Sequence, residues 1–275
     1  MTDLKPLVIA VAPNGARYTK QDHPALPITP SELVQTAVEC LEAGARMIHL
    51  HVRDKNDRHS LLPKDYISAV KAVKEAVAGE MIVQVTSEAA GIYNSVEQID
   101  LMQQLMPDCM SIALREFVPK DAPIKSFKEF LARLAADNCL IQYILYDETD
   151  FNHYQKLVAS KVIPLNNHSL LFVLGRYTKT APDIDIVEQH RHILETNNNW
   201  MVCSFGINAP QILAKTVDLN CQIRVGFENG FYLPDGTIAN SNADLVKQSW
   251  QSYKQSGRKL ATIDQTRELL GQNSD

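Results

Sequence analysis

The chain has 275 residues, of which 45% are hydrophobic and 21% charged, enough to bury a large core without disulfides or a partner. Its length suits one α/β barrel, so a single domain over residues 1–275 is expected. The formal charge of -5 comes with scattered basic residues and no lysine or arginine block, which argues against nucleic acid as a partner.

From the N-terminus, eight short apolar or β-branched runs alternate with helix-like segments, the sign of repeated βα units around a parallel sheet. The first run is Leu7-Val11. After it come Arg17 and a clear helix start, with Thr29 as N-cap, Pro30 in the first turn and Glu32 closing a capping box ahead of Leu33, Ala37 and Cys40. The second run, Met47-Val52, carries His49 and His51, with Arg53 just beyond. The third, Met81-Thr86, ends in Thr86, Ser87 and Glu88, and Ser95-Val96-Glu97-Gln98 then repeats the capping logic before Ile99, Met102 and Leu105. Met110-Leu114 follows, with Arg115 and Glu116 at its end. Leu140-Leu145, Leu170-Leu174, Met201-Phe205 and Ile223-Phe227 complete the set. A polar stretch from Asn240 to Ser256 precedes a last helix from about Thr262 to Leu270. Several runs are apolar at nearly every position, as strands covered on both faces require. Eight of them predict a closed (β/α)8 TIM barrel.

The five cysteines, Cys40, Cys109, Cys139, Cys203 and Cys221, are far apart and form no Cys-x-x-Cys pair. Buried free thiols in a reducing compartment are expected. No segment approaches the ~20 apolar residues of a membrane span, and the first residues do not read as a signal peptide. A soluble, cytoplasmic protein is therefore expected, with no membrane partner.

Side chains alternate along a strand, so His49 and His51 project to one face while Ile48, Leu50 and Val52 point the other way. In a barrel they would sit at the C-terminal end, where catalytic groups gather. A carboxylate, Glu228, closes the eighth run, and two histidines with one carboxylate leave open positions for substrate oxygens. The set suits zinc first, and Fe(II) or Mn(II) by the same chemistry. Arg224, set in an apolar strand, needs an anionic partner. For Arg17 and Arg53 a surface salt bridge and a substrate role stand side by side.

The run Leu26-Pro27-Ile28-Thr29-Pro30, the motif His49-Leu50-His51-Val52-Arg53-Asp54, the segment Arg224-Val225-Gly226-Phe227-Glu228-Asn229 and the later Ser241-Asn242-Ala243-Asp244-Leu245-Val246 together resemble the β-keto acid cleavage enzyme family, from about Leu7 to Leu270. The resemblance implies a homotetrameric barrel holding Zn2+ through His49, His51 and Glu228. It implies a reaction in which a β-keto acid and acetyl-CoA exchange into acetoacetate and a new acyl-CoA, with Arg224 as the active-site arginine. No Gly-x-Gly-x-x-Gly fingerprint for a nicotinamide or flavin is present.

Two departures stand out. The family's aspartate base is Asn229 here, and an amide abstracts no proton; the base has moved to Glu116 or Glu88, the reaction differs, or Asn229 only orients substrate. The pocket differs too, with Ala113-Leu114-Arg115-Glu116 in place of a Thr-Thr-Gly-Ser-like stretch and Thr86-Ser87-Glu88-Ala89-Ala90 in place of a glycine run. Thr86, Ser87, Arg17 and Arg53 are the expected substrate contacts. Near Arg17 the family's type member carries an acidic residue, so arginine there argues for a substrate with an anionic tail. A CoA-independent aldolase or hydrolase of keto acids, and a barrel that binds without catalysis, are the competing readings.

Overall fold

The computed structural model describes residues 4–119, 124–164, 166–175, 180–196 and 200–272. Strands β1 (Ile9–Val11) and β2 (Met47–Leu50) lead to a short antiparallel excursion, β3 (Val52–Arg53) and β4 (His59–Ser60). The chain then resumes with β5 (Ile82–Val85), β6 (Cys109–Ala113), β7 (Leu140–Leu145), β8 (His168–Leu174), β9 (Trp200–Ser204) and β10 (Gln222–Val225). The eight longer strands are parallel and follow one another around a closed barrel, β10 pairing back onto β1 through Ile9 and Ile223. The fold is the expected TIM barrel. The run Met47-Val52 is interrupted, however: β2 ends at Leu50, and Val52 leaves the barrel to pair with Ser60.

Both strand faces are buried, which explains the near-continuous apolar runs. Val8, Ala10, Met47, Ile82, Leu140, Leu171 and Met201 fill the barrel interior. Their neighbours Ile9, Ile48, Val83, Ile141 and Phe172 pack outward under the helices. Those helices are α1 (Pro30–Ala43), α2 (Pro63–Val77), α3 (Ser95–Leu105), α4 (Leu114–Phe117), α5 (Ile124–Ala136) and α6 (Glu148–Ala159), then α7 (Ile186–Gln189), α8 (Arg191–Leu194), α9 (Ala209–Asp218), α10 (Asn242–Tyr253) and α11 (Ile263–Leu269). Helix α1 starts as its sequence dictates, Thr29 and Glu32 forming a reciprocal capping box. At α3 the cap is one residue earlier than expected: Asn94 accepts from the amides of Val96 and Glu97, and Glu97 completes the box. Asn94 lies outside the expected motif, and Gln98 is turned inward instead. The polar stretch after residue 240 becomes α10, capped by Ser241 and buried along Asn242, Leu245, Val246, Ser249 and Tyr253.

The far end of the barrel is closed by the C-terminal segment. Leu7 bridges to Leu260, donating to the Lys259 carbonyl at 2.7 Å and accepting from the Ala261 amide at 3.0 Å. Ala261 and Leu270 join the interior cluster. The buried Arg258 ties the seam, donating to the carbonyls of Lys5, Pro6, Val217 and Cys221 at 2.6–3.1 Å. All five cysteines are buried and unbridged. Among the described residues no helix is long and apolar enough to cross a membrane.

Candidate metal centre and active site

His49 is the residue before the last of β2, in register with Gln84 of β5, and His51 lies one residue beyond the strand end. The two rings still share a face: their Nε2 atoms are 3.1 Å apart. Glu228 reaches them from β10. Gly226, at φ 130°, makes this possible, since a Cβ there would run into the backbone of Ala12. The turn is held by Asn242, whose side chain accepts from the Phe227 amide at 2.9 Å and donates to the Pro13 carbonyl at 3.1 Å. Glu228 Oε2 then stands 3.2 Å from His51 Nε2 and 3.8 Å from His49 Nε2, while Oε1 accepts from Arg224 at 3.0 Å.

These residues fit a divalent metal. One ligand atom from each of His49, His51 and Glu228 lies within 4.8 Å of the others, all three side chains being buried. Gln84 Oε1 faces His49 Nδ1 at 2.7 Å. An amide oxygen only accepts, so Nδ1 carries the proton and Nε2 turns a lone pair into the site. Burial pushes the His49 imidazole down to about 3 against the pull of Glu228, with Arg224 and His51 adding to the effect. Burial would raise the Glu228 carboxyl, but Arg224, His51 and His49 overcome it and hold it well below the usual carboxylate range. A neutral imidazole beside an ionised carboxylate is the protonation state that metal ligation requires.

The centre opens onto a cavity of about 320 Å³ at the C-terminal ends of the strands. His49, Glu228 and Arg224 form one side; Thr86, Ser87, Glu88 and Glu116 face them, and Ile144, Tyr146, Val173 and Phe205 make an apolar wall. Exposed Arg17 also lines it. The hydroxyl of Ser87 donates to the Ser111 carbonyl at 2.6 Å, and Thr86 Oγ1 accepts from the Glu88 amide at 3.1 Å. Two carboxylates at neighbouring strand ends differ in employment. Glu116 Oε2 accepts from the Ala89 amide at 3.0 Å and from Gln98 at 2.8 Å, holding the loop after β5. Glu88 keeps its carboxylate in the cavity, 3.7 Å from His51 Nε2. Burial raises its pKa; His51 opposes that, Glu228 and Glu116 add to it, and Arg17 opposes it.

Two residues expected at the site, Arg53 and Asn229, lie elsewhere, and Arg115 at the end of β6 also turns away from it. Arg53 is buried outside the cavity and donates to the carbonyls of Gly15, Tyr18 and Asp57 at 2.6–3.1 Å, clamping the loop that carries Arg17. Asn229 does not line the main cavity: it faces a small separate one with Ser204 and Ser249, and Arg224 forms the wall between the two. Arg115 turns outward to Asp147 and Asp150 and lies over the Tyr146 ring. Sequence reading missed Gln84, Gln142, Asn242 and Tyr146. A lone amide at inward parity in an apolar strand is the signal that would have found the two glutamines.

A family model for beta-keto acid cleavage enzymes matches residues 6–271. The 3-keto-5-aminohexanoate cleavage enzyme of Fusobacterium nucleatum is 28% identical over 281 residues, covering 97% of this chain and 98% of its own. The 3-oxoadipate:acetyl-CoA acetyltransferase of Cupriavidus necator is 28% identical over 275 residues, covering 97% and 95%. Among solved structures, the ternary complex of ObcA with C4-CoA adduct and oxalate superposes with a TM-score of 0.64 at 17% identity, over 90% of this chain and 68% of the other, and shares the fold. Geometry and sequence agree: this chain belongs to the beta-keto acid cleavage enzyme family.

Proposed function

We propose that this enzyme joins a β-keto acid to acetyl-CoA and releases acetoacetate and a new acyl-CoA, using a divalent metal, zinc ahead of Fe(II) or Mn(II), held by His49, His51 and Glu228. The observation that carries the reading is the convergence of two imidazoles and an ionised carboxylate at the head of a cavity that also holds a buried arginine. A metal bound there supplies Lewis acidity for the keto acid's oxygens. The carbon between the keto and carboxylate groups loses a proton and attacks the acetyl thioester carbonyl, expelling CoA thiolate. That thiolate then attacks the original keto carbon, the older carbon–carbon bond breaks, and the proton returns to the acetoacetate carbon.

The protein's part in this is positional and acid–base. Glu88 is the base, because its carboxylate faces the cavity while Glu116 is committed to the loop. Arg224, oriented by Glu228, lies where it can hold a carboxylate or a developing oxyanion. Thr86 and Ser87 border the same space, and Arg17 at its rim suits an anionic tail on the keto acid. Asn229, facing the smaller cavity, shapes the back of Arg224. The five buried thiols support a cytoplasmic location, and the assembly proposed is the family's homotetramer.

The test is product analysis. Zinc-loaded protein is given a panel of β-keto acids with and without acetyl-CoA, and acetoacetate and acyl-CoA are followed by mass spectrometry. Acetoacetate that requires acetyl-CoA supports the proposal. Cleavage without acetyl-CoA would instead make the enzyme an aldolase or hydrolase, and no product from metal-loaded protein would mean a barrel that binds without catalysis.

A further inference from the structure

Below the metal centre, the barrel interior carries amides where packing alone would favour aliphatic side chains. Gln84 on β5 and Gln142 on β7 are both fully buried, and each points inward from an apolar strand. Gln84 is in register with His49, and Gln142 with Ser169. Their hydrogen bonds run in one direction. Ser169 Oγ accepts from Gln142 Nε2 at 3.3 Å, Gln142 Oε1 accepts from Gln84 Nε2 at 3.4 Å, and Gln84 Oε1 accepts from His49 Nδ1 at 2.7 Å. In the flipped orientation the amide would present its NH2 to Nδ1, forcing the proton onto Nε2 and blocking that nitrogen as a ligand. Gln142 Oε1 occupies the Gln84 NH2, and Gln142 Nε2 also reaches the Met201 sulfur at 3.7 Å, an atom that only accepts, so the pair cannot reverse without setting an amide oxygen against sulfur. The Cys109 sulfur, 3.8 Å from Gln84 Nε2, favours the same orientation. We propose that Gln84 and Gln142 form an amide relay that fixes His49 in its Nδ1–H tautomer and thereby sets the affinity of the centre for its metal. Both are positioning residues that act through His49, and the inference rests on the metal reading of that site.

The measurement is zinc affinity, by competition with a chromogenic chelator, on full-length protein whose folding is checked by circular dichroism. Gln84→Met, of similar length but without an acceptor, should weaken zinc binding by about 10–100-fold, the range typical for loss of such a partner. Gln142→Met should weaken it by a smaller factor, and the double variant should be no worse than Gln84→Met alone, because Gln142 works only through Gln84. Gln84→Glu, which still offers an oxygen to Nδ1, should retain affinity within a few-fold. In cobalt-loaded protein the visible bands should change in Gln84→Met and persist in Gln84→Glu. Should Gln84→Met fail to fold, Gln142→Met and Gln84→Glu carry the same test. A folded Gln84→Met with wild-type affinity, a Gln142→Met without effect, or losses that simply add in the double variant would overturn the relay. Wild-type protein that takes up no zinc would remove the metal reading itself, a different failure from a wild-type centre that binds zinc and ignores Gln84.

Discussion

Glu88 and Glu116 have the same chemistry and neighbouring positions, and only tertiary placement separates them. Glu116 receives the Ala89 amide and Gln98, so Glu116→Gln should cost about 1–3 kcal/mol of stability through lost charge-assisted hydrogen bonds. Glu88→Gln should leave stability near wild type and lower kcat by about 10²–10⁴-fold, read by steady-state kinetics. The wild-type rate should fall with acid as Glu88 becomes protonated, because the base works only when ionised, and Glu88→Gln should remove that acid limb. Arg17 gives a second residue-scale test: Arg17→Ala should reduce kcat/KM about 10–100-fold for β-keto acids with a terminal carboxylate and little for neutral ones, as expected for loss of one charged contact. Full retention of the preference for acidic substrates would remove that role. His49, His51 and Glu228 were legible because strand parity and strand ends are written in the sequence. The choice between Glu88 and Glu116, and the withdrawal of Arg53 and Asn229 from the cavity, depend on loop paths that no local pattern encodes.

Among the elements, α1 shows how far local chemistry reaches. Thr29 and Glu32 cap it reciprocally, and Lys20 adds an ion pair to Glu32 at 2.6 Å. Burial would raise the Glu32 carboxyl, but Lys20 and the amides of Thr29 and Ile28 bring it down to about 2. Its folded pKa lies below the unfolded one, so its contribution is complete above about 4.5 and disappears as the pH falls to about 2. Melting curves of wild type and Glu32→Gln should therefore differ at neutral pH and converge by about pH 2. Thr29→Ala should cost about 1 kcal/mol at any pH where the helix forms. Helix α3 began one residue early because asparagine caps as well as serine does, and spacing alone does not choose between adjacent candidates. Helix α10 was invisible as a helix because its buried stripe includes Asn242 and Ser249, which read as polar in sequence but are used to bind loops or to pack.

At the scale of the molecule, eight apolar runs with helices between them sufficed to foretell a closed barrel, since parallel strands covered on both sides have few other ways to bury themselves. The interior is less apolar than that rule suggests, and the exceptions are also its acid-sensitive points. Burial depresses the His49 and His59 imidazoles to about 3, with His51 lowering both further. Their folded pKa values lie below the ordinary 6.5, so the stability tied to their neutral state is complete above about 6.5 and is lost as the pH falls toward 3. The melting temperature of chelator-treated protein should decline across that window. Zinc added at 100 times its Kd should raise stability near neutrality by about 2.7 kcal/mol, an increment that fades in acid as protons compete for the imidazoles. A flat profile with and without zinc would contradict both expectations.

The seam closed by Arg258, Leu260 and Ala261 makes the order of synthesis matter. The first strand of the ring emerges from the ribosome early, yet the groups that complete its lower rim, Lys259, Ala261 and the stopper Leu270, are made more than two hundred residues later. Until they emerge, the floor of the ring stays open and the Leu7 amide and carbonyl lack their seam partners, so closure waits for the segment from Lys259 to Leu270. A chain truncated after Gly257 should remain open to limited proteolysis, whereas the chain that carries the seam through Leu270 should be resistant.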